Sequence, residues 1–86
     1  MSKRVIGVRR SAVEIVAEML LVCLNGGANK TAIMYRCDLS CTQLQRYLTT
    51  LCDHELLAER ERRFVVTDKG QEFLEQLANV TQSFGT

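Results

Sequence analysis

Apolar residues recur along this 86-residue chain first at helical spacing, then at every second position, then at helical spacing again. Ser11-Ala12-Val13-Glu14 is a capping box, and it predicts a helix from Ser11 to about Leu24, stopped by Asn25-Gly26-Gly27. Ala12, Ile15, Val16, Met19, Leu20 and Cys23 form its broad apolar face. Leu21, Val22 and Leu24 lie on its other sides, so burial on more than one face is expected. A short helix follows over Lys30–Cys37, capped by Asn29, with Ile33 and Cys37 on one side. After the turn at Asp38-Leu39-Ser40, a second capping box, Ser40-Cys41-Thr42-Gln43, opens a helix over about 40–54. Its inner stripe is Leu44, Tyr47, Leu48 and Leu51. Thr42, Arg46, Thr49 and Asp53 fall opposite, flanked by Gln45 and Thr50. The period then shortens. Residues 56–61 and 63–67 read as two strands, joined at Glu61-Arg62-Arg63 without a glycine, so the hairpin rests on alternation rather than on turn chemistry. Thr67 or Asp68 caps a last helix ending near Ser83. Phe73, Leu77, Val80 and Phe84 are spaced along it like a coiled-coil seam of barely two heptads.

Helix, helix–turn–helix, hairpin, helix is the order of a winged helix: mainly α with a small β-hairpin. The expected division is a basic arm at 1–10, a winged helix–turn–helix at 11–67 and a C-terminal helix at 68–84. In such folds the second helix of the pair enters the DNA major groove. Thr42, Gln45, Arg46 and Thr49 are the candidate base readers. Gln and Thr hydrogen-bond to base edges, and Arg can pair bidentately with guanine. Ser40 and Gln43 stand at the helix N-terminus, where unpaired N–H groups favour phosphate. Lys30 and Arg36 flank the backbone from the preceding helix. Arg60, Arg62 and Arg63 lie in or near the wing at about 56–67. Polar residues opposite an apolar stripe are also what any solvated helix shows, so these candidates draw their weight from the element order.

Three blocks of sequence resemble a known family. They are Ala28-Asn29-Lys30-Thr31-Ala32-Ile33-Met34-Tyr35-Arg36, then Asp38-Leu39-Ser40 with Gln43-Leu44, Tyr47-Leu48 and Leu51, then Val66 through Leu74. Together they resemble small winged-helix transcriptional regulators common in archaea, a family that includes a small dimeric chromatin protein. The resemblance covers roughly residues 11–80. It implies a winged helix, DNA as partner, and dimerisation through the C-terminal helix. Where members carry Lys-Gly-Leu after the third helix, this chain has Asp53-His54-Glu55-Leu56, without the glycine.

Charge is close to balanced at +1 but unevenly spread. Residues 1–46 hold seven basic and three acidic groups, a net of +4, and residues 47–86 hold four basic and seven acidic, a net of −3. That asymmetry fits a nucleic-acid face on one side. There is no proline to interrupt a helix. The longest apolar run, Met19 to Leu24, is far short of a membrane span, which takes about 20 residues. The N-terminus shows no secretory pattern. The four cysteines therefore read as thiols in a cytoplasmic protein rather than as a disulfide framework. Cys37, Cys41, Cys52 and His54 lack the knuckle spacing of a zinc site. Tyr35 and Tyr47, among apolar neighbours, read as packing residues. No phosphate loop, nucleophile motif or paired carboxylates point to catalysis.

The expected function is sequence-specific or semi-specific binding of double-stranded DNA by a transcriptional regulator. It is expected to be a homodimer through the last helix, with the spare face of the first helix as a further contact. No enzyme activity, cofactor, metal or membrane partner is expected. The alternatives are a winged helix used for protein–protein interaction without DNA, and a thiol sensor that binds DNA in one redox state.

Overall fold

The computed structural model describes residues 11–85, with side chains to residue 79. The basic arm expected at 1–10 lies outside the described residues. Four helices and one hairpin follow in chain order: α1 (Ala12–Cys23), α2 (Lys30–Cys37), α3 (Cys41–Asp53), β1 (Leu57–Arg60), β2 (Arg63–Val66) and α4 (Asp68–Gly85).

Both expected capping boxes form. Ser11 Oγ accepts from Glu14 N–H at 3.1 Å, and Glu14 Oε1 accepts from Ser11 N–H at 2.8 Å. At α3, Ser40 Oγ accepts from Gln43 N–H at 3.2 Å while Gln43 Oε1 accepts from Ser40 N–H at 3.1 Å. Asn29 Oδ1 caps α2 by accepting from Ala32 N–H at 2.8 Å. Each cap satisfies a donor that the helix itself leaves open and stabilises it by about 1 kcal/mol. The turn of the helix–turn–helix is set by Asp38, at φ +57°, and Leu39 N–H reaches back to Met34 O at 3.0 Å.

Every element except α4 sends buried side chains into one core. Met19, Leu20 and Cys23 come from α1, Ile33 and Cys37 from α2, Leu44, Leu48 and Leu51 from α3, and Leu57 and Phe64 from the hairpin. Phe73 and Leu74 of α4 pack against it half-buried. Burying one such Leu, Ile or Met contributes about 1.5–3 kcal/mol, so this cluster is the main stabilising feature.

The strands are a little shorter than the alternation predicts, and their antiparallel register pairs Leu57 with Val66 and Arg60 with Arg63. Only Glu61 and Arg62 remain for the turn, and both take positive φ, 50° and 69°. This is the primed two-residue turn that matches strand twist, made here without Asn or Gly. The hairpin gains a third partner. Ala28, in the α1–α2 loop, bridges Phe64 through Ala28 N–H to Phe64 O (3.0 Å) and Phe64 N–H to Ala28 O (2.8 Å). Glu55, standing where the resembled family has glycine, takes φ +63°, the conformation glycine would adopt without strain. Thr67 caps α4, donating to Glu55 O and accepting from Gly70 N–H at 3.0 Å.

Three expectations need correction. Tyr35 does not pack: it is 86% exposed, because it lies on the side of α2 opposite Ile33 and Cys37. Tyr47 does pack against the core. Within this chain α1 is not covered on its second side, where Val13 and Leu21 are 52% and 57% exposed. Finally, α4 continues past Ser83 to Gly85.

Candidate nucleic-acid interface

The solvent face of α3 is built by subtraction. Leu44, Leu48 and Leu51 face the core, so Thr42, Gln45, Arg46, Thr49 and Thr50 are turned outward, and all five are exposed. They line one open depression together with the exposed Cys41 at the first turn of α3. The structure thus gathers Thr42, Gln45, Arg46 and Thr49 on a single face. It adds Cys41, which the sequence groups with Cys37, Cys52 and His54 as a possible but ill-spaced ligand. Cys41 and Cys37 do not share a surface, since Cys37 is fully buried.

Ser40 and Gln43 have other work. Their side-chain oxygens accept the capping-box bonds of α3, which leaves the Ser40 O–H and the Gln43 amide N–H₂ as donors able to face an anion. Lys30 opens α2, exposed, and Arg36 is exposed in its last turn.

The wing separates its charges by face. Paired residues of an antiparallel hairpin project on the same side, and sides alternate along each strand. Glu59 pairs with the buried Phe64 and so projects toward α3. Arg60 pairs with Arg63 on the outer side, beyond Ala58 and Val65. Arg62 sits at the turn. Arg63 also turns back to the α1–α2 loop, where its Nη1 donates to Gly27 O at 3.0 Å. All three arginines lie in or near the wing, as expected. The register divides them into an outer pair, one of which is tethered, and a tip.

Inside the fold, burial pushes the Cys23 thiol up to about 11, with the nearby Cys37 and Cys52 adding to the effect. Cys52 is raised by burial and then by the carboxylates of Glu59 and Asp53, which marks those two acids as its neighbours. Among the described residues no group of His, Cys, Asp and Glu is placed to hold a metal ion. Nor is any helix among them long and apolar enough to cross a membrane.

A family model described as winged helix-turn-helix matches residues 9–84, nearly the whole chain. The chain belongs to the winged helix-turn-helix family. It is also similar to an uncharacterized protein of Methanocaldococcus jannaschii, 30% identical over 73 residues. That match covers 85% of this chain but 35% of the relative, so the chain spans about a third of the relative's length. Within this winged helix, α2 and α3 are the helix–turn–helix pair, the hairpin is the wing, and nothing in the described residues points to catalysis.

Proposed function

We propose that this winged helix binds double-stranded DNA as a transcriptional regulator, with α3 in the major groove and the 57–66 wing on neighbouring backbone. What supports the reading is the common outward face of Thr42, Gln45, Arg46 and Thr49 on a helix whose N-terminus is also exposed. Arg46 is the assigned guanine reader. Lys30, Arg36, Arg60 and Arg62 are assigned to phosphates, with Ser40 and Gln43 at the α3 N-terminus and Arg63 contributing beside its tether.

The protein acts as a homodimer in this proposal. Along α1 and its C-cap, Val13, Leu21 and Leu24 are exposed, with the half-buried Ala17 between them, at spacings of four, four and three. Phe73 and Leu74, the start of the α4 seam, are largely used by the chain's own core, so these residues of the first helix and the later turns of α4 supply the dimer contact. Val80 and Phe84 complete that seam in sequence, and their side chains lie outside those described.

Retention of labelled duplex at low salt tests the reading. Each phosphate neutralised should contribute about −0.9 to the slope of log K against log salt. Absence of retention at low salt would refute DNA binding. Capture of a protein partner that persists after nuclease treatment would then favour the protein-interaction reading.

A further inference from the structure

A crevice of about 280 Å³ separates α3 from the wing, and its lining includes Lys30, Gln45, Thr49, Asp53, Glu59 and Phe64. Two of these, Gln45 and Thr49, belong to the proposed base-reading face, so a strand lying along them passes Glu59. Lys30 also lines the crevice, but against Glu59 and Asp53 together it leaves one net negative charge there, and the wing's arginines do not offset it, because the register turns Arg60 and Arg63 to the opposite side. Asp53, at the end of α3, lines the same crevice from the facing wall. Cys52 lies with these two acids on the same lining.

We propose that Glu59 is a specificity-determining residue, which rejects a phosphate from the α3–wing crevice and accepts a base edge that bears an exocyclic amino group. The inference rests on the DNA-binding reading above. A carboxylate is acceptor-only when ionised. It therefore repels a phosphate brought into the crevice, whereas it accepts a hydrogen bond from an amino group such as cytosine N4. Registers of the duplex that push backbone into the crevice are disfavoured, and those that present an amino edge there are retained. Glu59 thus lowers binding to arbitrary sequence more than binding to a matched site.

The test compares wild type, Glu59→Gln and Glu61→Gln, on a random-sequence duplex and on a duplex selected by the wild type. Glu61 lies in the exposed turn, so Glu61→Gln changes net charge equally without touching the crevice. Glu59→Gln is expected to bind random duplex roughly fivefold tighter at low salt, with the gain shrinking as salt rises. Its preference for the selected duplex should fall by a similar factor, while Glu61→Gln changes binding far less. Unaltered random-duplex binding by Glu59→Gln, or an equal gain from Glu61→Gln, would overturn the inference while leaving DNA binding intact. Absence of retention for all three proteins removes the DNA reading and this inference with it. Since Glu59 is exposed, equal melting temperatures for the three are expected and confirm that folding is not the variable.

Discussion

Gly26 and Gly27 provide a matched pair for asking whether the α1–α2 loop is fastened to the wing. Their φ values are +82° and +83°, so an alanine at either position meets the same backbone strain, about 1–2 kcal/mol. The surroundings differ. A Cβ at Gly26 meets nothing within 4 Å, whereas at Gly27 it would stand 2.8 Å from Val65 Cγ1 and 3.0 Å from Phe64 O. Phe64 O is itself held by Ala28 N–H, so the strand cannot retreat without giving up a backbone bond. Overpacking of that kind costs about 1–3 kcal/mol. Gly26→Ala should therefore lose about 1–2 kcal/mol and Gly27→Ala about 2–5 kcal/mol, and the reduced unfolded-state freedom of alanine cancels in the comparison. Urea unfolding followed by circular dichroism measures both. Melting temperature should drop by roughly 4–8 °C per kcal/mol in a domain of this size. Val65→Ala, which removes the methyl that the new Cβ strikes, should recover part of the Gly27→Ala loss and show as coupling in a double-mutant cycle. Equal losses for Gly26→Ala and Gly27→Ala would refute the contact between loop and wing.

Three further outcomes are expected. Glu55→Gly should be more stable than Glu55→Ala by about 1 kcal/mol in chemical denaturation, the reverse of a helix interior, because position 55 has φ +63°; the exposed 3.8 Å pair of Glu55 with Lys69 is lost in both variants. Arg46→Ala should weaken binding to a selected duplex by about 1–3 kcal/mol and relax one position of the preferred sequence, as read by binding-site selection. At alkaline pH, the folded chain holds the Cys23 proton up to about 11 against about 9 when unfolded, so its stabilising effect is complete below pH 9 and declines as pH rises toward 11. That loss is about 2–3 kcal/mol, and Cys23→Ala should flatten the decline in unfolding experiments run across that range.

What could be read from sequence was what depends on near neighbours. The boxes at Ser11–Glu14 and Ser40–Gln43 are three-residue relationships, and the structure forms both. The stripe Leu44, Leu48 and Leu51 follows from helical period alone, and with it the outward side of α3. What could not be read depends on register or on distant contacts. Gly26-Gly27 was legible as a helix stop, but the second glycine's close approach to Val65 joins positions far apart in sequence. The turn at Glu61-Arg62 carries neither residue that usually marks a primed turn, so only the flanking alternation pointed to it. Tyr35 looked apolar by its sequence neighbours, yet two residues from Ile33 and from Cys37 on a helix is the far side.

The same dependence on register decides how the wing can work. Read along the chain, Glu59-Arg60-Glu61-Arg62-Arg63 is a mixed cluster with a basic excess. Folded, it becomes an inner acidic side at Glu59, an outer basic side at Arg60 and Arg63, and a tip at Arg62. A duplex engaged as proposed by Gln45, Arg46 and Thr49 would therefore meet the wing's positive charge only beyond the crevice, on the backbone next along rather than within the groove assigned to α3. The two-stranded hairpin has too little core of its own to fix that placement. It is fixed by the Ala28 bridge and the Arg63–Gly27 hydrogen bond on one side, and by Thr67 bonding Glu55 O on the other. In a chain of net charge +1, a general excess of positive charge gives little attraction to DNA. In the proposed complex, discrimination comes from which charges the anchored wing presents and which it turns away.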